Sequence, residues 1–262
     1  GMVGTNGCSD LQVTGGLSYG DKWFSHEDFD IEIAAFSPGV ELSEVKLQGG
    51  LDGSQALPEG RWQLKKLKAR LFGGDVNLAE ATTIDWPFSG NRMVFALSKL
   101  QLEQVLGLYA EQGVSGYGVL NGRIPLELTP EGISVGNGKL SAESPGGKIS
   151  LTGEEVQALQ LTNEQLAMAL RLLEDFNYQL LDISTDFKPT GDLILAVSLQ
   201  GNNPAEFDGR QVNFNINFEE NILSYTIPKH MAQKKGRFHW KLIHLLQRPQ
   251  AESSRNLLLF LL

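Results

Sequence analysis

The run Gln211-Val212-Asn213-Phe214-Asn215-Ile216-Asn217-Phe218-Glu219 decides the fold. Apolar Val212, Phe214, Ile216 and Phe218 alternate with polar neighbours, the period of a β-strand with one apolar and one polar face. Outward from it, Leu193, Leu195, Val197 and Leu199 repeat the alternation against Ile194, Ala196 and Ser198, a less polar second face. Phe176, Tyr178 and Leu180 begin a further run, which Ile183, Thr185 and Phe187 continue after the phase slips by one at Leu180-Leu181. The same slip parts Trp62 and Leu64 from Leu67, Ala69 and Leu71 at Lys65-Lys66, and Val40 and Leu42 from Val45 and Leu47 at Ser43-Glu44. A one-residue slip marks a bulge, and bulged strands bend and twist. The expected fold class is mainly β: a strongly curved, mostly antiparallel sheet, groove-like or taco-like, with two or three short α-helices.

Glycine pairs (Gly15-Gly16, Gly49-Gly50, Gly73-Gly74, Gly146-Gly147) are expected to separate strands at hairpin intervals. The absence of a βαβ rhythm makes antiparallel pairing the default. Two helices interrupt the strands. Thr162 with Gln165 resembles a capping box ahead of Leu166, Leu170 and Leu173. Ser98 with Gln101 makes a second such start, followed by Leu102, Val105, Leu106 and Tyr109, with Gly113 as the stop.

The chain has 262 residues, with 22 Lys+Arg against 31 Asp+Glu for a net charge of −9. An acidic balance argues against a nucleic-acid binder, which needs a clustered basic surface. The single cysteine, Cys8, cannot form an internal disulfide or a thiolate zinc site. Beyond Ile227-Pro228 the composition changes: seven Lys/Arg meet only Glu252, and His230, His239 and His244 lie in the same stretch. The organisation read from this is a β domain over 1–227 and a basic C-terminal tail over 228–262. The longest apolar run, Leu257–Leu262, has six residues where about 20 are needed to span a bilayer. The start, Gly1-Met2-Val3-Gly4, shows no signal peptide, and the chain is expected to be a piece of a longer one.

Catalytic motifs are weak. Gly16-Leu17-Ser18-Tyr19-Gly20 fits the G-x-S-x-G pattern, but that elbow requires a strand, a strained turn and a helix, with an acid and a histidine beside the serine. His26, Glu27, Asp28 and Asp30 could offer metal ligands on one loop, yet their spacing matches neither H-E-x-x-H nor an EF-hand. No phosphate-binding glycine loop is present. The chain is expected to be no enzyme and to need no cofactor.

The apolar faces have two readings. They form an ordinary core, with Leu193, Leu195, Val197, Leu199, Val212, Phe214, Ile216 and Phe218 packed beneath the helix at 163–174. Or the concave face is an unfilled trough in which those eight residues contact lipid. Each methylene exposed to water costs ~0.8 kcal/mol, so a 16-carbon chain needs roughly 13 kcal/mol of shielding that an apolar trough supplies without catalysis. Periodicity does not separate the two.

Several segments resemble a known family. Gly118-Val119-Leu120-Asn121-Gly122-Arg123-Ile124-Pro125-Leu126 looks like the G-x-L-x-G-x-x-P-L segment of YdbH-type members of the AsmA-like superfamily. Leu71-Phe72-Gly73-Gly74, Gly138-Lys139-Leu140-Ser141-Ala142 and Leu199-Gln200-Gly201-Asn202-Asn203-Pro204 are similar to that family's strand ends and turn. Val212 through Asn221 is close to its Asn-alternating strand. These pieces fall in order over about residues 70–221. The family's C-terminal domain is often labelled "dicarboxylate transport", a label that carries no substrate argument.

The resemblance implies a periplasmic envelope protein of diderm (Gram-negative) bacteria, anchored in the inner membrane by a helix preceding this region. It implies passage of phospholipid acyl chains along a β-groove from the inner to the outer membrane. It also implies a small outer-membrane lipoprotein partner that adds a strand at the C-terminal end. The alternative is a structural or interaction module that binds such a partner by strand addition and carries no lipid. The departure from the family pattern after Asn221, into the basic tail, bears on the docking end.

Overall fold

In a computed structural model the described residues are 7–37, 41–53, 59–87, 89–153, 156–157, 160–161 and 164–221. The basic tail, Val40, Thr162 and the tail histidines therefore lie outside the described residues. Seventeen strands are seen among these residues, and fifteen of them belong to one sheet. The assigned strand pairs are antiparallel, as the alternation and the lack of a βαβ rhythm require. The chain forms two compact units. The first contains residues 1–100 and 121–138, the second residues 101–120 and 139–262.

In the first unit β1 (Gly7–Ser9) and β2 (Gln12–Thr14) both pair with β5 (Phe29–Ser37). The order continues through β6 (Leu42–Asp52), β7 (Gly60–Leu71), β8 (Gly74–Leu78) and β10 (Asn91–Gln101). β9 (Thr82–Trp86) runs beside the first half of β7 and β8 beside its second half. β3 (Leu17–Tyr19) and β4 (Trp23–Ser25) form a separate two-stranded hairpin. The slips in apolar phase are register shifts. Between Ser43 and Lys46 the β6 strand carries one extra residue against β7, with Glu44 in the left-handed region at φ 51°. Between Gln48 and Gly49 the extra residue is Lys65, on β7. Each bulge keeps the apolar side chains on one face although the sequence changes phase.

That face holds a core of Val45, Ala69 and Val76, packed by residues such as Ile33, Leu71 and Leu97. Gly49-Gly50 does not punctuate strands as expected. Both residues lie inside β6, and a Cβ on Gly49 would collide with the Gln63 carbonyl oxygen at the bulge. Glycine here permits close approach of two backbones rather than a turn.

In the second unit the order is β11 (Val114–Tyr117), β14 (Gly147–Leu151), β15 (Phe176–Phe187), β16 (Asp192–Asn202) and β17 (Val212–Asn221). The slip at Leu180-Leu181 is a bulge in β15, where Gln179 is the extra residue: Tyr178 pairs with Gly201 but Leu180 with Gln200. β12 (Val119–Thr129) and β13 (Gly132–Ala142) contribute to both units.

Helices with described bounds are α1 (Leu102–Leu106), continued by a 3₁₀ stretch over Gly107–Gln112, and α2 (Glu164–Leu173); residues 156–157 and 160–161 are helical as well. Leu170 and Leu173 of α2 are fully buried, as the expected stripe requires. Gly113 ends the α1 segment in the left-handed conformation, φ 79°. The expected Ser98–Gln101 capping box is not formed. Ser98 belongs to β10, where it pairs with Asp75, and Gln101 is itself the N-cap residue and its side chain does not cap the helix. Lys99 adopts φ 57° and its N–H donates to Asn121 Oδ1 at 2.9 Å, so the strand persists to the helix start.

Candidate functional site

The apolar face of the first unit is filled at one end and open at the other. Leu47 of β6 pairs with Ile31 of β5 and with Leu67 of β7, and Val13 of β2 pairs with Ile31. Moving away from the Val45 core, Phe29 and Leu64 flank Gly49, and Trp62 pairs with Ile84 of β9. At Gly49 the backbone of β7 comes close, and the side chains on either side of it border open space. The result is an apolar cavity of about 280 Å³, walled by Val13, Phe29, Ile31, Leu47, Trp62, Leu64 and Ile84, with Gln48 and Gln63 as its polar members. The Phe29 and Trp62 rings lie 6.0 Å apart at 42° and form one wall. Leu17 of the β3–β4 hairpin closes one side.

These wall residues are half-buried or exposed; Val13 is 57% accessible. No charge lies among them, and the ion pair of Lys65 Nζ with Asp28 Oδ1 at 2.7 Å ties the β7 bulge to the loop before β5. Alternation in Phe29-Asp30-Ile31-Glu32-Ile33 carried a signal for this face. The cavity itself is a property of six strands and a bulge, which one strand's pattern does not contain.

The eight residues expected to contact lipid lie together in the second unit. Leu195 pairs with Phe218, Val197 with Ile216, Leu199 with Phe214, and Val212 with Gly201, all on one face; Leu193 continues that face beside Glu220. Leu195, Val197, Leu199 and Ile216 are at most 4% accessible, whereas Leu193, Val212 and Phe214 are half-buried. Phe214 meets the fully buried Phe176 edge-on at 5.4 Å. The side chain of Phe218 is outside the described residues.

The motif segments turn out to position backbone. Asn203, 2% accessible, donates to the carbonyl oxygens of Arg171 and Leu172 at 3.0 and 3.2 Å and accepts the Ala205 N–H at 2.9 Å. It thereby fastens the end of α2, whose last carbonyls lack helical partners. Asn121 serves Lys99 in the same way. Tyr178 sends its hydroxyl to the Tyr117 carbonyl at 3.2 Å, and burial together with the neighbouring Tyr117 pushes its pKa up to about 12. That proton stays in place to hold a strand, with no acid–base chemistry around it.

The hydrolase pattern gains one element and lacks the rest. Ser18 Oγ lies 3.0 Å from His26 Nδ1, so a histidine does sit beside the serine, at the base of the hairpin. Ser18 is in the middle of β3, paired with Phe24, and is followed by a β-turn strand return instead of a helix. Among the described residues no carboxylate bonds to His26. In the acidic loop, Asp28 is engaged by Lys65, and among the described residues no group of three or more His, Cys, Asp and Glu could hold a metal ion. Among the same residues no helix is long and apolar enough to cross a membrane.

A search of curated proteins returns no match, and a search of solved structures returns none. The model of one family, described as YdbH-like, intermembrane phospholipid transport protein YdbH, matches residues 6–224. The match covers both units, all seventeen strands and the motif asparagines described above. By that match over most of its length, the chain belongs to the YdbH-like family.

Proposed function

We propose that the chain is a non-enzymatic periplasmic module of intermembrane phospholipid transport, and that it holds acyl chains in the open apolar cavity of its first unit. The observation that carries this reading is the uncharged cavity of about 280 Å³ on the Phe29–Leu47–Leu64 face. A methylene fills about the volume of a liquid water molecule, ~30 Å³, so the space admits roughly nine of them. Removing nine methylenes from water is worth ~7 kcal/mol, enough to retain a tail while leaving it exchangeable. Transport needs that balance: a site that binds a tail too tightly stops the flow.

The β16–β17 face joins the same reading through its less buried members, Leu193, Val212 and Phe214. For Leu195, Val197, Leu199 and Ile216 contact with lipid requires the face to open, since they are already covered. An inner-membrane anchor and an outer-membrane lipoprotein partner, both implied by the resemblance, belong to the same proposal. A second reading, strand addition without lipid, draws support from β17, which pairs with β16 on one side and with no other strand among the described residues.

The test is native mass spectrometry of the purified chain followed by lipid extraction. Phospholipid released on unfolding, and lost in a variant that puts a charge into the cavity, is the expected result. A lipid-free chain that also takes up none from phospholipid vesicles refutes the proposal and leaves the β17 edge as the site to pursue.

A further inference from the structure

Between β2 and β5 the chain leaves the main sheet, forms the β3–β4 hairpin and returns. Two-stranded hairpins are marginal alone, so this one depends on what it touches. Its contacts are few and specific. Leu17 supplies one wall of the cavity. Ser25 Oγ accepts the Leu51 N–H at 2.9 Å and donates to the Leu51 carbonyl at 3.4 Å, two hydrogen bonds to one β6 residue. At the base, His26 N–H donates to the Gly16 carbonyl at 3.2 Å and the imidazole bonds Ser18.

The arm leading in is Gly15-Gly16. Gly15 has φ 145° and lies so close to Phe29 that a Cβ would meet the ring at 2.6 Å, so this arm rests on the cavity wall itself. Glycine tolerates a wide range of φ and supplies the hinge such an arm needs. Both faces of the hairpin carry exposed aromatic residues: Tyr19, on the face of Leu17 and Ser25, is 64% accessible and lies 5.0 Å from Trp23 at 49°, and Phe24, on the opposite face, is 43% accessible.

We infer that the β3–β4 hairpin is a strap that opens and closes the cavity, hinged at Gly15-Gly16 and latched by Ser25 on Leu51. The inference rests on the acyl-chain reading of the cavity. Swinging the hairpin away breaks the Ser25–Leu51 bonds and withdraws Leu17, uncovering Phe29 and Ile31 without disturbing any pairing of the main sheet. Opening local elements with few buried contacts costs a small part of global stability. Tyr19 and Trp23, on the same face as Leu17, then lie beside the mouth, where rings of amphipathic character suit a lipid–water boundary.

The geometry supplies its own test. A Cβ built on Gly50 lies 3.8 Å from Ser25 Cβ, within the separation a disulfide requires, and Gly50 has no left-handed φ. The Ser25→Cys/Gly50→Cys double variant, made with Cys8→Ser in the whole chain, locks the strap when oxidised and frees it when reduced. The probe is a pyrene-tailed phosphatidylethanolamine loaded from phosphatidylglycerol vesicles, and the readout is its release rate into unlabelled vesicles. The expected result is release at least about tenfold slower in the oxidised form, restored by reductant, as for a lid that gates exchange. Equal rates in the two states overturn the strap while leaving acyl binding intact; absence of loading in the unmodified chain overturns the acyl reading and the strap with it. Ser25→Ala keeps the question open to refutation if the double variant fails to fold. It removes the latch alone, and a release rate that does not rise above that of the unmodified chain overturns the strap.

Discussion

Replacing Leu47 by Glu puts one carboxylate into the wall of the apolar cavity, where it adjoins the Val45 core. Leu47 pairs with Ile31 and Leu67, and Phe29 and Leu64 are the next pairs along the same face, so a charge at Leu47 borders the space on its core side. If a tail occupying about nine methylene volumes is cut to half, the loss is ~3.5 kcal/mol at ~0.8 kcal/mol per methylene. At 1.4 kcal/mol per tenfold, loading falls by between two and three orders of magnitude. The cost to folding is smaller because Leu47 is half-buried and the new carboxylate keeps access to water at the open end. Lipid retained per chain is read by native mass spectrometry at equal protein concentration, and folding by the urea midpoint. A stable Leu47→Glu chain with unchanged lipid content would show that tails do not lie in this cavity. A chain that unfolds outright would show that the cavity is core, and the same reasoning would then fail for its other walls.

Other variants separate core from site. Leu199→Ala, at a position 1% accessible, costs ~2–5 kcal/mol of stability, read as a fall in the urea midpoint at unchanged slope. Asn203→Ala strands two carbonyls of α2 and one N–H, so a loss of ~2–3 kcal/mol is expected; amide exchange should speed up at the end of α2 before elsewhere. Tyr178 holds its proton to about pH 12 in the fold against ~10 unfolded, so its contribution is whole below pH 10 and drains away as pH rises towards 12. Urea midpoints of the unmodified chain should fall over that window and those of Tyr178→Phe should fall less.

Much of the architecture was legible because period-2 alternation leaves a mark wherever one face is dry. The bulges at Ser43-Glu44, Lys65-Lys66 and Leu180-Leu181 were readable for the same reason: an inserted residue interrupts the phase and nothing else in a strand does. Ser98–Gln101 misled because a capping box is a pattern of side chains, and Ser98 is committed to pairing with Asp75 before α1 begins. Gly49-Gly50 misled because glycine serves both turns and close approach, and only the crowding by Gln63 distinguishes them. The cavity was not legible at all. Half-buried apolar residues that wall a space and those that fill one have the same sequence, and the difference lies in which neighbours the fold brings opposite them.

The two bulges between β6 and β7 have a joint arithmetic. Arg70 faces Ser43 and Arg61 faces Asp52, the same offset, yet Lys46 to Gln48 are displaced by one against Lys68 to Lys66. The surplus residue on one strand repays that on its partner, so the displaced stretch is an island and the ends of the hairpin are in phase. The lesion this ladder tolerates least is therefore a lost codon rather than a changed one. Deleting Lys65 alone swings Trp62 and Leu64 to the opposite side of the sheet, and deleting Glu44 alone does the same to Leu42. Losing both restores the frame at each end, so chains that vary in length here are expected to gain or lose these residues in pairs.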